Sequence, residues 1–219
     1  MNVNEHGKII YNESILSGKV HESLEDPISQ FFYDVSDLIS PYLYKVGITP
    51  NIVTFSRLLL IIVAFFYLFK VGNYKMVAVL YTLAYFGDCL DGHLARKYNL
   101  DSTAGDCFDH ISDVLTIIVS LYFIISNLDK EFDWIILAII IMMFLNLTHI
   151  ACEERYLDYT GMHRQSDSLN IVQILCPRSL IEDDELENFT EFVKFFGYGT
   201  YTLFIAIVLW NFDHIAIKK

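Results

Sequence analysis

Five stretches of the chain are apolar over nearly enough length to cross a membrane, and short polar breaks separate them. A bilayer core needs about 20 helical residues. The first stretch runs from Ile52 to Phe69, where LLLIIVAFFYLF carries no polar break, and the second from about Met76 to Leu90. The third starts inside an Asp-rich segment and continues through VLTIIVSLYFIIS to Ser126. The fourth is WIILAIIIMMFLNL from Trp134, and the fifth runs from about Phe192 to Trp210. The second and third reach spanning length when their Asp-bearing turns are included, which puts those carboxylates at one membrane face.

Upstream the periodicity changes. Ile28, Phe31, Val35, Leu38, Tyr42 and Val46 recur at helical spacing, with Asp34, Asp37 and Lys45 elsewhere on the wheel. The pattern predicts an amphipathic helix over 27–48 lying along the headgroups and bent at Pro41; a soluble amphipathic arm is the alternative. The first 51 residues lack the features of a secretory signal peptide, so they are read as retained. The fold expected is all-α, a polytopic transmembrane helix bundle of five to six spans with an N-terminal amphipathic interfacial helix. Its divisions are a polar arm at 1–26, the interfacial helix at 27–48 and a membrane domain at 49–219.

Composition supports a membrane protein: 54% of the 219 residues are hydrophobic and 15% aromatic, with a mean hydropathy of +0.39. The net charge of −12 argues against nucleic acid and against a polybasic lipid anchor. The distribution of Lys and Arg favours a cytoplasmic N-terminus, and with it a cytoplasmic face for the Asp-rich segment. Cys89, Cys107, Cys152 and Cys176 fall at or near that face, where thiols are expected to stay reduced, and no Cys/His zinc spacing is present.

The chemistry concentrates in GDCLDGHLARKYNLDSTAGDCFDHISDV, residues 87–114. Asp88 and Asp91 are three apart and share a helix face, as do Asp109 and Asp113, four apart. Two helices meeting through a short loop would bring these four carboxylates together, and such a cluster repels itself unless cations neutralise it. The donors are hard oxygens without Cys or His at ligand spacing, so Mg²⁺ or Mn²⁺ is expected. A paired site of this class clamps both oxygens of a phosphoryl transfer. Arg96 could add a bidentate phosphate contact, while Gly92 and Ala95 leave room for a ligand to approach the backbone. Asp101 reads as a loop or cap residue, Asp106 as second to Asp109 or simply exposed, and His110 as orienting or solvent-facing.

Written out, Asp88-x2-Asp91-Gly92-x2-Ala95-Arg96-x8-Gly105-x3-Asp109-x3-Asp113 resembles the motif of the CDP-alcohol phosphotransferases (CDP-alcohol phosphatidyltransferase class-I family) at every defined position. Pro50-Asn51, Thr54 and Arg57 look like that family's lead into its first span, and the resemblance covers about residues 28 to 150. It implies transfer of a substituted phosphate from a CDP-alcohol to a hydroxyl acceptor, lipid or small alcohol, with release of CMP in phospholipid biosynthesis. By the same resemblance Asp88, Asp91 and Asp109 would bind two metal ions, Mg²⁺ or Mn²⁺. Asp113 would complete the metal site and act as the base. Asn51, Thr54, Gly92, Ala95, Arg96 and Gly105 would cradle the CDP moiety. A homodimer is also implied.

Two features point to different branches. FDH at 108–110 looks like the choline and ethanolamine phosphotransferases, and Val114 follows Asp113 where branches with phosphorylated or inositol-like acceptors carry a basic residue. The modest length and DGHLARKYN look like the phosphatidylinositol synthases, which use CDP-diacylglycerol. The aminoalcohol branch is the reading preferred here, with the inositol branch as the alternative. The family core has six spans, yet only NFDHIAIKK follows the fifth, and NIVQILCPRSLI at 170–181 suits an interfacial or re-entrant element better than a span. The polar residues His149, Glu153, Glu154, Arg155, His163 and Arg164 are candidates for selecting the acceptor, or form a loop without specificity. A cation channel or transporter would show ionisable residues through the depth of several spans, whereas the fourth has none before His149. A non-catalytic membrane scaffold is the remaining alternative.

Overall fold

Thr54, Arg57, Ile61, Ala64 and Leu68 recur every three or four residues, and in the computed structural model they form the buried face of the helical stretch Pro50–Val71. The structure describes residues 2–3, 9–10, 20–100, 103–160, 172–177 and 183–216; of 2–3, 9–10, 103–108, 110, 159 and 183–184 it describes the backbone alone. Helix α1 spans Pro27–Lys45, α2 Pro50–Phe66, α3 Tyr74–Tyr98, α4 Thr103–Asn127, α5 Asp133–Thr160, α6 Asp183–Val193, α7 Tyr198–Trp210 and α8 Phe212–Ile215. Among the described residues the strand content is one antiparallel pair, β1 Asn2–Val3 with β2 Ile9–Ile10. The all-α expectation therefore describes the fold.

Among the described residues, three helical stretches are long and apolar enough to cross a membrane: Pro50–Val71, Lys130–Asp158 and Glu185–Trp210. α3 and α4 have the length, 25 residues each, but their carboxylate-bearing ends dilute the apolar run. A π-helical turn, Tyr67–Val71, extends α2. The chain then reverses at Gly72, whose φ of 73° is one that glycine adopts readily. Asn73 caps α3 by accepting from the Met76 N–H at 3.1 Å.

This reversal sets the architecture. α2 and α3 pack antiparallel along their length, so the end of α2 meets the start of α3. There Ala64 and Leu68 join Val77, Ala78 and Tyr81, Phe123 and Ile124 of α4, Ile135 and Ile139 of α5, and Ile205 and Leu209 of α7 in an apolar core. The opposite end of the bundle holds the start of α2, the end of α3 and the start of α4, and with them the carboxylates. Outward faces such as Phe55, Ile62 and Phe66 on α2 and Ile118 and Tyr122 on α4 are exposed and apolar. Lipid tails are as apolar as these side chains, so close packing and polar contacts must hold the helices together.

α1 has the same inversion. Its buried positions are Ser29, Ser36 and Ser40, whereas Phe31, Leu38, Tyr42 and Val46 are exposed. The serines let α1 approach α3 closely, and Ser29 Oγ lies 2.7 Å from the Tyr85 hydroxyl. α1 continues through Pro41, which cannot donate to the Asp37 carbonyl one turn back. That carbonyl instead accepts from Ser40 Oγ at 3.3 Å and from Lys97 Nζ of α3 at 3.4 Å. Lys97 also donates to Asp37 Oδ1 at 2.7 Å, so the proline's missing bond becomes part of the docking of α1 on α3.

The start of α1 is fastened to α7 by Asp26. Its buried carboxylate caps α1 through the Ile28 and Ser29 N–H groups, both at 2.9 Å, and accepts from Thr200 Oγ1 at 2.6 Å. α5 is longer than the sequence pattern suggests, because His149, Glu153 and Glu154 are buried helical residues and not part of a polar loop. A carbonyl only accepts, so His149 Nε2 donates to the Leu24 carbonyl at 2.9 Å. Lys194 Nζ donates to the Ser23 carbonyl at 2.6 Å. Together they hold segment 20–25 against α5, over an apolar cluster that includes Val20, Leu24, Tyr156 and Leu186. Cys152 and Cys176 are joined by a disulfide in that cluster and Cys89 is a buried free thiol, so the expectation of uniformly reduced cysteines is not what the structure holds. His163 and Arg164 lie outside the described residues.

Two outcomes are expected. A Cβ at Gly199 would sit 2.7 Å from the Ser29 backbone nitrogen, which cannot rotate away. Gly199→Ala should therefore cost roughly 1–3 kcal/mol, read as a lower melting temperature in detergent. The hydrogen bond from Lys97 holds the Asp37 carboxyl below its usual range, with His93 adding to it. The ionised form is thus favoured in the folded state, and that contribution is present at neutral pH and lost as pH falls through the depressed value. Asp37→Asn should melt below the parent at pH 7 and converge with it at acidic pH; a gap that persists in acid would assign Asp37 a charge-independent role.

Candidate functional site

Three helix ends meet at the site. From α2 come Thr54 and Arg57, one turn apart; from α3, Asp88 and Asp91; from α4, Asp109 and Asp113. One carboxylate oxygen from each of Asp88, Asp91 and Asp109 lies within 4.8 Å of the others. Like charges this close repel by a few kcal/mol per pair even at an effective dielectric of about 20. Two groups counter the repulsion. Thr54 Oγ1 donates to Asp91 Oδ2 at 2.7 Å. The Arg57 guanidinium, 2% exposed, pairs with Asp88, with Asp109 at 2.7 Å and with Asp113 at 3.3 Å, and also donates to Ser112 Oγ. The Arg57 stem packs against α3 at Gly87, where even a Cβ would stand in ordinary van der Waals contact with it, 3.4 Å from Arg57 Cβ.

One guanidinium among four carboxylates leaves the site short of positive charge. Asp109 Oδ1 is buried and accepts no well-aligned hydrogen bond despite its nearness to Arg57. A hard-oxygen donor set with an orphaned buried acceptor fits Mg²⁺ or Mn²⁺.

Beside the carboxylates, Arg96 lies over the Tyr33 ring, 5.1 Å from its centroid, so α1 supplies one wall. Its Nε and Nη2 are buried without a hydrogen-bond partner among the described residues. A Cβ at Gly92 would fall 3.1 Å from Arg96 Nη1, so glycine makes room for this guanidinium. Unpartnered guanidinium donors next to a cation-seeking cluster suit a phosphate. Ala95 shares the stretch, half-buried. Gly105 falls in the first turn of α4, and Asn51 is exposed on the first turn of α2, away from the contacts above. Asp101 lies outside the described residues, as do the side chains of Asp106 and His110.

Behind Asp113 lies a small pocket lined by Tyr81, Tyr85, Thr116, Tyr198 and Thr202 together with Arg57, Asp88 and Asp113. Tyr198 lines this pocket together with Asp113. Asp26 organises both sides of this pocket, holding Thr200 next to Tyr198 and, through Ser29, the Tyr85 hydroxyl. Sequence reasoning placed Arg57 only in the lead into the first span and missed Tyr85 and Tyr198. A charge within an otherwise apolar span was a usable signal for Arg57. Nothing local marks Tyr198, which shares a pocket with Asp113 across helices far apart in the chain.

Residues 47–175 match the CDP-alcohol phosphatidyltransferase family. A CDP-diacylglycerol–glycerol-3-phosphate 3-phosphatidyltransferase of Rickettsia typhi is 40% identical over 70 residues, 31% of this chain and 39% of that protein. A CDP-diacylglycerol–inositol 3-phosphatidyltransferase of Arabidopsis thaliana is 40% identical over 75 residues, 34% of this chain and 30% of that protein. A cardiolipin synthase (CMP-forming)/mitochondrial hydrolase fusion protein of Schizosaccharomyces pombe is 40% identical over 65 residues, 29% of this chain and 11% of that protein. The chain thus spans about two-fifths or less of the length of these relatives. No solved structure matches it. With the family match covering more than half of the chain and the acidic motif folded into one cluster, the chain belongs to the CDP-alcohol phosphatidyltransferase family.

Proposed function

We propose that this chain is an integral-membrane phosphatidyltransferase that moves the phosphatidyl group of CDP-diacylglycerol to a hydroxyl acceptor and releases CMP. The convergence of Asp88, Asp91 and Asp109 beside Asp113 and Arg96 carries this reading. Asp88, Asp91 and Asp109 would hold Mg²⁺ or Mn²⁺, with Asp113 completing the site. When bound, such ions supply charge neutralisation to the diphosphate and to the departing CMP.

The remaining chemistry belongs to the chain's own residues. Arg96, seated between Gly92 and Tyr33, would take a phosphate oxygen with its free donors, while Asn51, Thr54, Ala95 and Gly105 complete the CDP cradle. An acceptor hydroxyl is a weak nucleophile near neutral pH. The Asp113 carboxylate, held by Arg57 and lying in one pocket with Tyr198, would remove its proton as the acceptor oxygen bonds to phosphorus and the anhydride bond to CMP breaks.

The Rickettsia and Arabidopsis relatives are named for CDP-diacylglycerol and not for an aminoalcohol donor, which favours the inositol-branch reading over the one drawn from the FDH triplet. The name of the Arabidopsis relative supports inositol as the acceptor, and the hydroxyls of Tyr81, Tyr198, Thr116 and Thr202 line a small pocket with Asp113, where a neutral acceptor would meet the base. The exposed apolar face of α1 supports its placement along the membrane interface, ahead of the membrane domain at 49–219. The charge bias supports a cytoplasmic site.

Purified protein given Mn²⁺, CDP-diacylglycerol and inositol should release CMP, chelator should abolish the release, and Asp113→Asn should reduce it by roughly 10²-fold or more. Undiminished turnover by that variant would remove Asp113 from the base role. In parallel reactions with inositol, glycerol 3-phosphate and ethanolamine, inositol should give the highest rate; preference for glycerol 3-phosphate would overturn the inositol assignment.

A further inference from the structure

Arg57 is a full positive charge 2% exposed inside a helix long and apolar enough to cross a membrane, and its partners are the acidic residues assigned to the ion. We propose that Arg57 is a tethered counter-cation: it keeps the acidic cluster assembled before the divalent ion arrives, then competes with that ion for the same carboxylates and so sets the affinity of the site. The inference rests on the reading of Asp88, Asp91 and Asp109 as cation ligands.

The geometry contains both halves of this role. One guanidinium nitrogen faces Asp88 and Asp113, and the other faces Asp109 and Ser112 Oγ. A single side chain of α2 thereby ties three residues of α4 to one of α3. Without a charge at this position the carboxylates would face one another across a few ångströms with little water to screen them. Thr54, the other α2 contact, offers a neutral hydroxyl to Asp91 and cannot replace the charge. Yet the Asp109 oxygen 2.7 Å from Arg57 is the one left without an aligned hydrogen bond, so a divalent ion seeking that oxygen meets the guanidinium's field.

Removing the charge should therefore move two observables in opposite directions. In detergent with chelator, Arg57→Gln should melt several degrees below the parent. Its Mn²⁺ dissociation constant, from the spin-resonance signal of free Mn²⁺ at constant ionic strength, should be at least about tenfold tighter, because a repulsive charge is gone and the ion relieves more carboxylate repulsion. Arg57→Lys, which keeps the charge, should stay closer to the parent in both. A merely structural arginine would lower melting and weaken Mn²⁺ binding together, and that outcome overturns the proposal, as does unchanged affinity.

Should Arg57→Gln fail to fold, Arg57→Gln with Asp113→Asn sheds one charge of each sign and preserves Asp88, Asp91 and Asp109. That double variant should bind Mn²⁺ more tightly than Asp113→Asn alone; weaker binding overturns the role of Arg57. If the parent itself binds no Mn²⁺, the cation reading of the carboxylates fails, and this inference with it. Parental binding that weakens in Arg57→Gln removes the present inference and leaves that reading standing.

Discussion

Carboxylates gathered at the end of an apolar helix bundle must be neutralised, and the rest of this structure is arranged around that requirement. Asp88, Asp91 and Asp109 come within 4.8 Å of one another on two helices, and the third helix at the junction brings Thr54 and Arg57 to meet them. The antiparallel course of α2 and α3 explains the location. Apolar packing collects where α2 ends and α3 begins, leaving the opposite end for charge. Fold and site are thus two consequences of one reversal at Gly72.

The α1 helix shows why a catalytic motif by itself does not make a site. The family match begins at residue 47, after α1, yet α1 supplies Tyr33 over Arg96 and Ser29 against Tyr85. Small serines facing the bundle allow this approach, and Asp26 fixes where α1 starts by binding Thr200 of α7 as well as its own first turn. Gly197 and Gly199 leave the space that the Asp26 carboxylate occupies. A chain of short polar contacts therefore runs from the cap of α1 to the walls of the pocket beside Asp113.

Much of this was legible before any coordinates. The spacing of Asp88, Asp91, Asp109 and Asp113 implied two helix faces meeting, and Phe31, Leu38 and Tyr42 marked the outward side of α1. What escaped were contacts between elements distant in the chain. His149 and Glu153 read as polar loop residues, because hydropathy reports an average over a window and cannot register that Leu24 supplies a buried partner from the N-terminal segment. Tyr198 falls within the fifth apolar stretch and carries no mark of its own until the start of α7 is seen beside Asp113. Arg57 carried a signal in its isolation among apolar residues, but its partners could not be assigned without the helix pairing.

The two regions of the candidate site are built from different chemistry, and on the proposed reading this gives the site a direction. Arg96 and the acidic cluster, which seek phosphate and cations, lie where Tyr33 of α1 closes over α3. The hydroxyls of Tyr81, Tyr198 and Thr202 lie deeper, behind Asp113 and among the helices. A charged diphosphate suits the first region and a neutral hydroxyl the second. Asp113 stands between them, paired with Arg57 on the charged side and sharing the pocket with Tyr198 on the hydroxyl side. On the proposed reading, a base in that position would meet the acceptor while the guanidinium, and a metal once bound, would hold the repulsive charge of its neighbours. The order of helices that brings α7 next to α3 and α4 is therefore as necessary to the proposed chemistry as the acidic motif itself.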